Sequence, residues 1–168
     1  MMDAIGGALL SSGELLLLAS VNMNFSKLSA QVIGGAIKVH RRLGPGMLES
    51  VYSACLAYEL RAQGLRVRTE VAVAIDYDRL RIPYAYRIDQ LIEECQIVEI
   101  KAFDKVTPID RAKLVTYMRL SGSHEGLLIN FNVERLVDGV RSIVLPVADV
   151  AQSGVVEVRD GPEAGEPD

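Results

Sequence analysis

Cysteine is scarce: the 168 residues contain only Cys55 and Cys95, forty positions apart. That spacing suits neither a zinc knuckle nor a redox pair, so both are expected to be ordinary buried thiols. Long apolar runs are missing as well. Even the longest, over 15–21 with Ser20 inside it, falls far short of the roughly 20 residues a membrane-spanning helix needs, and Glu14 cuts it off from the apolar residues before it. No base precedes Lys27, whereas Asp3 and Glu14 are acidic, which is the wrong charge pattern for a secretory leader. An intracellular, cytoplasmic protein with no membrane partner is the expectation. Proline is limited to six residues spread along the chain, and 49% of residues are apolar against 24% charged. That balance excludes disordered, collagenous and coiled-coil classes, and the length suits one domain around one core.

A charge imbalance is absent from most of the chain. The net charge is −4, and the stretch 157–168 carries all of it, with Glu157, Asp160, Glu163, Glu166 and Asp168 against Arg159 alone. Between 27 and 119, fifteen bases face eleven acids, among them Arg41, Arg42, Arg66, Arg68, Arg79, Arg81 and Arg87. A basic face for nucleic acid is compatible with this, and so is an ordinary, mildly positive surface.

Three segments follow from the pattern. Residues 1–25 read as an N-terminal extension, with Met23 as an alternative start; 26–150 as one domain; and 151–168 as an acidic, disordered tail. Within the domain, Val32, Ala36, Val39 and Leu43 recur at helical spacing behind the cap candidates Ser26 and Ser29, and the run stops at Leu43-Gly44-Pro45-Gly46. A second helix is expected from Met47 to about Gln63. Strands are expected over 66–75 and 79–91, with Leu80, Ile82, Tyr84, Tyr86 and Ile88 alternating on one face and Pro83 marking an edge or a bulge. A hairpin through Glu93-Glu94-Cys95 leads to a strand over 96–102. Thr107-Pro108-Ile109-Asp110 has the cap, proline and acid of a helix start, and that helix should end at Gly122. Strands over 126–132 and 140–147 complete the order α-α-β-β-β-α-β-β, a central mixed sheet flanked by helices in the α/β class.

Glu99 and Lys101 are two residues apart on a strand, so they share one face while Val98 and Ile100 take the other. With a three-residue loop at 93–95, antiparallel pairing sets Asp89 opposite Glu99, with Cβ atoms about 5 Å apart. A two-residue loop would send them to opposite faces. Two carboxylates so close repel each other, and a divalent cation such as Mg²⁺, held by one or two carboxylates, waters and a substrate phosphate, would remove the repulsion. Lys101 would then hold or help deprotonate the attacking water and offset charge on the phosphate. An exposed strand face, with Asp89 paired to Arg87 or Arg81 and Glu99 to Lys101, is the competing reading. Glu49 heads the second helix on the stripe Glu49, Tyr52, Leu56 and Leu60. With Gly46 as cap it would be the third helical residue, complementing the dipole, or else a further metal or water contact.

Val39-His40-Arg41-Arg42-Leu43-Gly44-Pro45-Gly46, Gly46-x-x-Glu49-x-x-Tyr52, Asp89-x9-Glu99-Ile100-Lys101 and Gly126-Leu127-Leu128-Ile129-Asn130-Phe131 together resemble the GxxExxY proteins of the PD-(D/E)xK nuclease superfamily, over about residues 27–147. The resemblance implies a restriction-endonuclease-like core. It also implies Asp89 and Glu99 as metal ligands, Lys101 as the catalytic lysine and Glu49 as an auxiliary acid. Where that family has a Gln four residues before a Tyr, this chain has Lys113 and Tyr117, which share a helical face; Lys113 can contact a phosphate but cannot accept a hydrogen bond as an amide does. Tyr52 and His40 lie inside the resembling stretches and are auxiliary candidates, although a lone His near a helix end is also a cap or packing residue.

The function these residues point to is a Mg²⁺-dependent nuclease, with Mn²⁺ as substitute, hydrolysing phosphodiester bonds of DNA, with RNA as the second choice of substrate. A homodimer would suit cutting two strands. The alternative is a nuclease-like domain that no longer cleaves and serves as a nucleic-acid or protein-binding module.

Overall fold

The computed structural model describes residues 26–150 and the backbone of Val158–Arg159. The expected extension over 1–25, and the expected tail apart from those two residues, lie outside the described residues. The chain runs α1 (Lys27–Leu43), α2 (Glu49–Ala62), β1 (Val67–Tyr77), β2 (Leu80–Ile92), β3 (Gln96–Lys101), α3 (Pro108–Ser121), β4 (Glu125–Asn130), α4 (Leu136–Gly139), β5 (Val140–Val144), α5 (Val147–Val150) and β6 (Val158–Arg159). The expected order holds, with two single-turn helices and β6 added. The sheet order is β5-β4-β3-β2-β1-β6. Among the described residues only β3 and β4 pair in parallel, because α3 carries the chain back across the sheet between them. β6 pairs with Ala72 and Val73, so two residues of the expected disordered tail form an edge strand.

Local chemistry explains the boundaries. Ser26 caps α1 by accepting the Ser29 N–H at 3.1 Å. Gly44 and Gly46 take φ of 69° and 99°, conformations that glycine adopts at little cost. Between them and the helix, the Met47 N–H donates to the Tyr52 hydroxyl at 3.1 Å. That bond draws Met47 out of the helix, so α2 starts at Glu49 behind Leu48, not at Met47 behind a Gly46 cap. The expected box at α3 is present: Thr107 and Asp110 exchange side-chain and backbone bonds, Pro108 opens the helix, and Gly122 closes it at φ 75°. β5 ends at Val144, three residues early, because Pro146 and α5 take over.

Strand alternation builds two cores. Val98, Ile100, Leu127 and Ile129 pack under α1 and α2, whereas Ile97, Leu128, Val71 and Ile88 pack under α3. Gly126 lets α3 close in: a Cβ there would sit 2.6 Å from Met118 Sδ and 3.0 Å from Leu114 Cδ1. The β1–β2 hairpin outgrows this cover. Ile88 is buried and Tyr86 packs beside it, but Leu80, Ile82 and Tyr84 on the expected apolar face are exposed. Between the pairs Val73↔Tyr86 and Ile75↔Ile82, residues 83–85 face Ala74 alone, so Pro83 does sit in a bulge. Cys55 is half-buried and Cys95 exposed, contrary to the expected pair of buried thiols, because Cys95 closes the hairpin turn.

Candidate active site

The hairpin between β2 and β3 turns through Glu93, Glu94 and Cys95. Glu93 and Glu94 both have positive φ, and the Cys95 N–H donates to the Ile92 carbonyl at 3.0 Å. The ladder then runs Ile92↔Gln96, Leu91↔Ile97 and Gln90↔Val98. The next residues in that register are Asp89 and Glu99, as a three-residue loop requires. There the ladder stops, and the Ile100 N–H donates to Asp89 Oδ2 at 2.8 Å. On the other side of β2, Glu70 takes φ 55° between the pairs Thr69↔Gln90 and Val71↔Ile88. β2 therefore parts from β3 at Asp89, while β3 stays paired with β4 as far as Lys101↔Asn130.

Three charged groups converge on the end of this seam. Lys101 Nζ donates to Glu99 Oε1 at 2.7 Å, and both side chains are largely buried. Glu99 Oε2 is buried and has no hydrogen-bond partner among the described residues, a condition that costs about 1–3 kcal/mol for a buried acceptor, and more when it is charged. Burial, together with the negative charge of Asp89, pushes the Glu99 carboxyl up to about 7. Asp89 is raised too, again by burial, against the lowering effect of the Ile100 N–H and Lys101. Burial alone would lower Lys101, but its bond to Glu99 and the surrounding carboxylates raise it, so the ammonium stays charged.

Glu49 arrives from the opposite layer. Its Oε1 accepts the Ala102 N–H at 3.2 Å, one residue past β3, and its charge acts on Asp89, Glu99 and Lys101. The expected dipole partner is thus a brace on the strand that carries the lysine. Of the arginines in the competing reading, Arg81 bonds Asp76, and Arg87 bonds Glu70 and acts on Asp89 through its charge. The Glu99–Lys101 half of that reading is made.

The four auxiliary candidates separate. Tyr117 is buried on α3 against Tyr86, with ring centroids 5.3 Å apart, and its hydroxyl is raised by burial and by the charge of Glu99. Lys113, one turn away, is exposed, and its charge acts on Asp110. Tyr52 is fully buried, stacked on Phe131 at 4.3 Å, and donates its hydroxyl to the Gly44 carbonyl at 2.5 Å. His40 Nε2 donates to the Val133 carbonyl at 2.8 Å, so the ring is spent on packing. Among the described residues, the hydrogen bonds of Tyr52 and His40 go to the backbone and not to the carboxylates.

A model of the PD-(D/E)XK nuclease superfamily matches residues 26–143. The chain belongs to this superfamily. Its mixed sheet with helices on both faces is accordingly a restriction-endonuclease-like fold. No curated protein and no solved structure matches the chain.

Nucleases of this superfamily generally use divalent metals. Among the described residues, no three His, Cys, Asp or Glu side chains close into a ready-made ion cage. The donor set suits the other kind of site, in which an ion takes one or two carboxylates and keeps its waters. A carboxylate oxygen on Glu99 with no partner among the described residues, next to a second carboxylate raised by burial, fits a hard cation.

Two residues escaped notice as site-builders. Asn130 donates to the Phe103 carbonyl at 2.8 Å and accepts the Phe103 and Asn132 N–H groups, so it shapes the loop after Lys101. Phe103 itself lies with its ring centroid 5.9 Å from Lys101 Nζ. The signal for Asn130 is a lone amide closing an apolar strand; for Phe103 it is an aromatic two residues past the lysine.

Proposed function

We propose that this chain is a divalent-metal-dependent nuclease that hydrolyses phosphodiester bonds of DNA, and that it falls in the GxxExxY branch of its superfamily. The carrying observation is the buried Oε2 of Glu99, without a partner among the described residues, beside Asp89 and Lys101. Asp89 and Glu99 would hold the metal, Mg²⁺ or Mn²⁺. When bound, it supplies charge neutralisation on the phosphate and a more acidic water. Lys101 acts as a charge: its ammonium, kept protonated by Glu99, orients the nucleophilic water and offsets negative charge growing on the phosphate, and does not take up the proton. Glu49 fixes the end of β3 through the Ala102 N–H and so sets where Lys101 stands. Asp89 also keeps the seam open by occupying the Ile100 N–H.

The test is incubation of purified protein with linear, circular and single-stranded DNA in Mg²⁺, Mn²⁺ or chelator, with Lys101→Ala and Asp89→Asn proteins shown to be folded. Cleavage in metal, and none in chelator or in either variant, is expected. Equal cleavage by all three proteins overturns the assignment.

A further inference from the structure

Loop 102–107 has the carboxylates at its start and a groove of about 780 Å³ along its length. Asn130, which pairs with Lys101 across the ladder, lines that groove, so the two regions share a wall. Lys105, Arg111 and Arg141 line it as well. Arg141 is fixed there by donating to the Asp138 and Val140 carbonyls at 2.9 and 2.7 Å. Lys105 and Arg111 are exposed and form no ion pair among the described residues. Two acids, Asp104 and Asp138, also line the groove, but both are engaged. Asn132 donates to Asp104 at 2.9 Å, and Arg135 clamps Asp138 with two bonds of 2.9 Å. Two of the three bases are therefore free for an outside anion. Phe103 does not line the groove, but it precedes the lining residue Asp104 and is anchored through its backbone to the lining residue Asn130, and it is 48% exposed although it is a large apolar ring.

An exposed ring beside a basic groove is the combination that holds an unpaired strand: the ring stacks a base, and the cations follow the phosphates. A paired base keeps its faces inside the duplex and has none to offer. Resting on the nuclease reading, we infer that the strand presented to Glu99 and Lys101 is single-stranded DNA, with one base on Phe103 and the adjoining phosphates along Lys105, Arg111 and Arg141.

The chain has no tryptophan, so Phe103→Trp places a single indole reporter at the proposed stacking position. The probe is a fluorescein-labelled oligothymidylate in chelator, where nothing is cut, with a duplex of equal length as comparison. Expected results are quenching of the indole emission by the single strand and not by the duplex. Phe103→Leu should weaken binding several-fold with an unchanged salt slope, and Lys105→Ala/Arg111→Ala should reduce that slope by about 1.4. Equal quenching and affinity for the duplex, or an unchanged slope in the double variant, would overturn the inference. Metal-dependent duplex cleavage without quenching by single strands would reject this groove while leaving the nuclease reading intact. Quenching with no cleavage under any metal would reject the nuclease and keep the groove.

Discussion

Two glutamates stand at opposite ends of the β3–β4 pair, and their surroundings differ sharply. Glu125 opens β4, level with Gln96. Its Oε2 accepts from the Ser26 hydroxyl at 2.5 Å, the Ser29 hydroxyl at 3.2 Å and the Gln96 amide at 3.2 Å. Glu99 lies near the other end with one oxygen on Lys101 and the other, among the described residues, on nothing. The first carboxylate joins α1 to the sheet with neutral donors and needs no ion. The second is desolvated, faces Asp89, and is short of positive partners. Burial is common to both neighbourhoods; the supply of donors tells a structural carboxylate from one poised for chemistry.

The contrast can be broken most severely at Lys101. Lys101→Ala should lower metal-dependent cleavage by about 10²–10⁴-fold, while Ser29→Ala, at the other end, should leave the rate per folded molecule unchanged. Plasmid nicking followed over time measures both. Next in size is Glu125→Ala, expected to cost about 1–3 kcal/mol in urea unfolding because it strips an acceptor from three donors. A melting shift produced by Mg²⁺ should survive that change and vanish in Glu99→Gln.

The pH dependence sharpens the comparison with a smaller effect. The carboxyl of Glu99 rises from an ordinary 4.5 to about 7, so between those values the folded chain keeps a proton that the unfolded chain has released. Stability must then fall as pH rises through that window and level off above it. Urea midpoints taken at steps from about pH 4.5 to about pH 8 should show the decline in the native protein, and a flatter profile in Glu99→Gln. The smallest effect belongs to Lys113→Gln, an exposed position: within about 0.5 kcal/mol in stability, with unchanged cleavage, measured side by side with the native chain.

The elements of the site that lie close in sequence were readable from it. The turn at 93–95 sets the register, and the register brings Asp89 to Glu99 by counting alone. The Thr107 box and the α-α-β-β-β-α-β-β order rest on equally local signals. What could not be read depends on contacts between distant segments. Glu49 bonds the Ala102 N–H fifty-three residues away, so its position on a helical stripe says nothing of that partner. The motif-borne Tyr52 and His40 are hydrogen-bonded to the Gly44 and Val133 carbonyls, and no spacing rule separates such packing roles from chemical ones. The exposed outer half of the β1–β2 hairpin has the same cause: alternation shows which residues share a face, and only the extent of α3 shows whether that face is covered.

Asp89 has two employments, one toward its fellow carboxylate and one toward the Ile100 amide. An alanine there deletes both at once, orphaning a main-chain donor in the middle of the sheet. An asparagine retains an oxygen for that amide and gives up only the charge. Inactivity of the alanine protein would therefore mix architectural damage with lost reactivity, and the difference in behaviour between the two replacements isolates what the negative charge contributes.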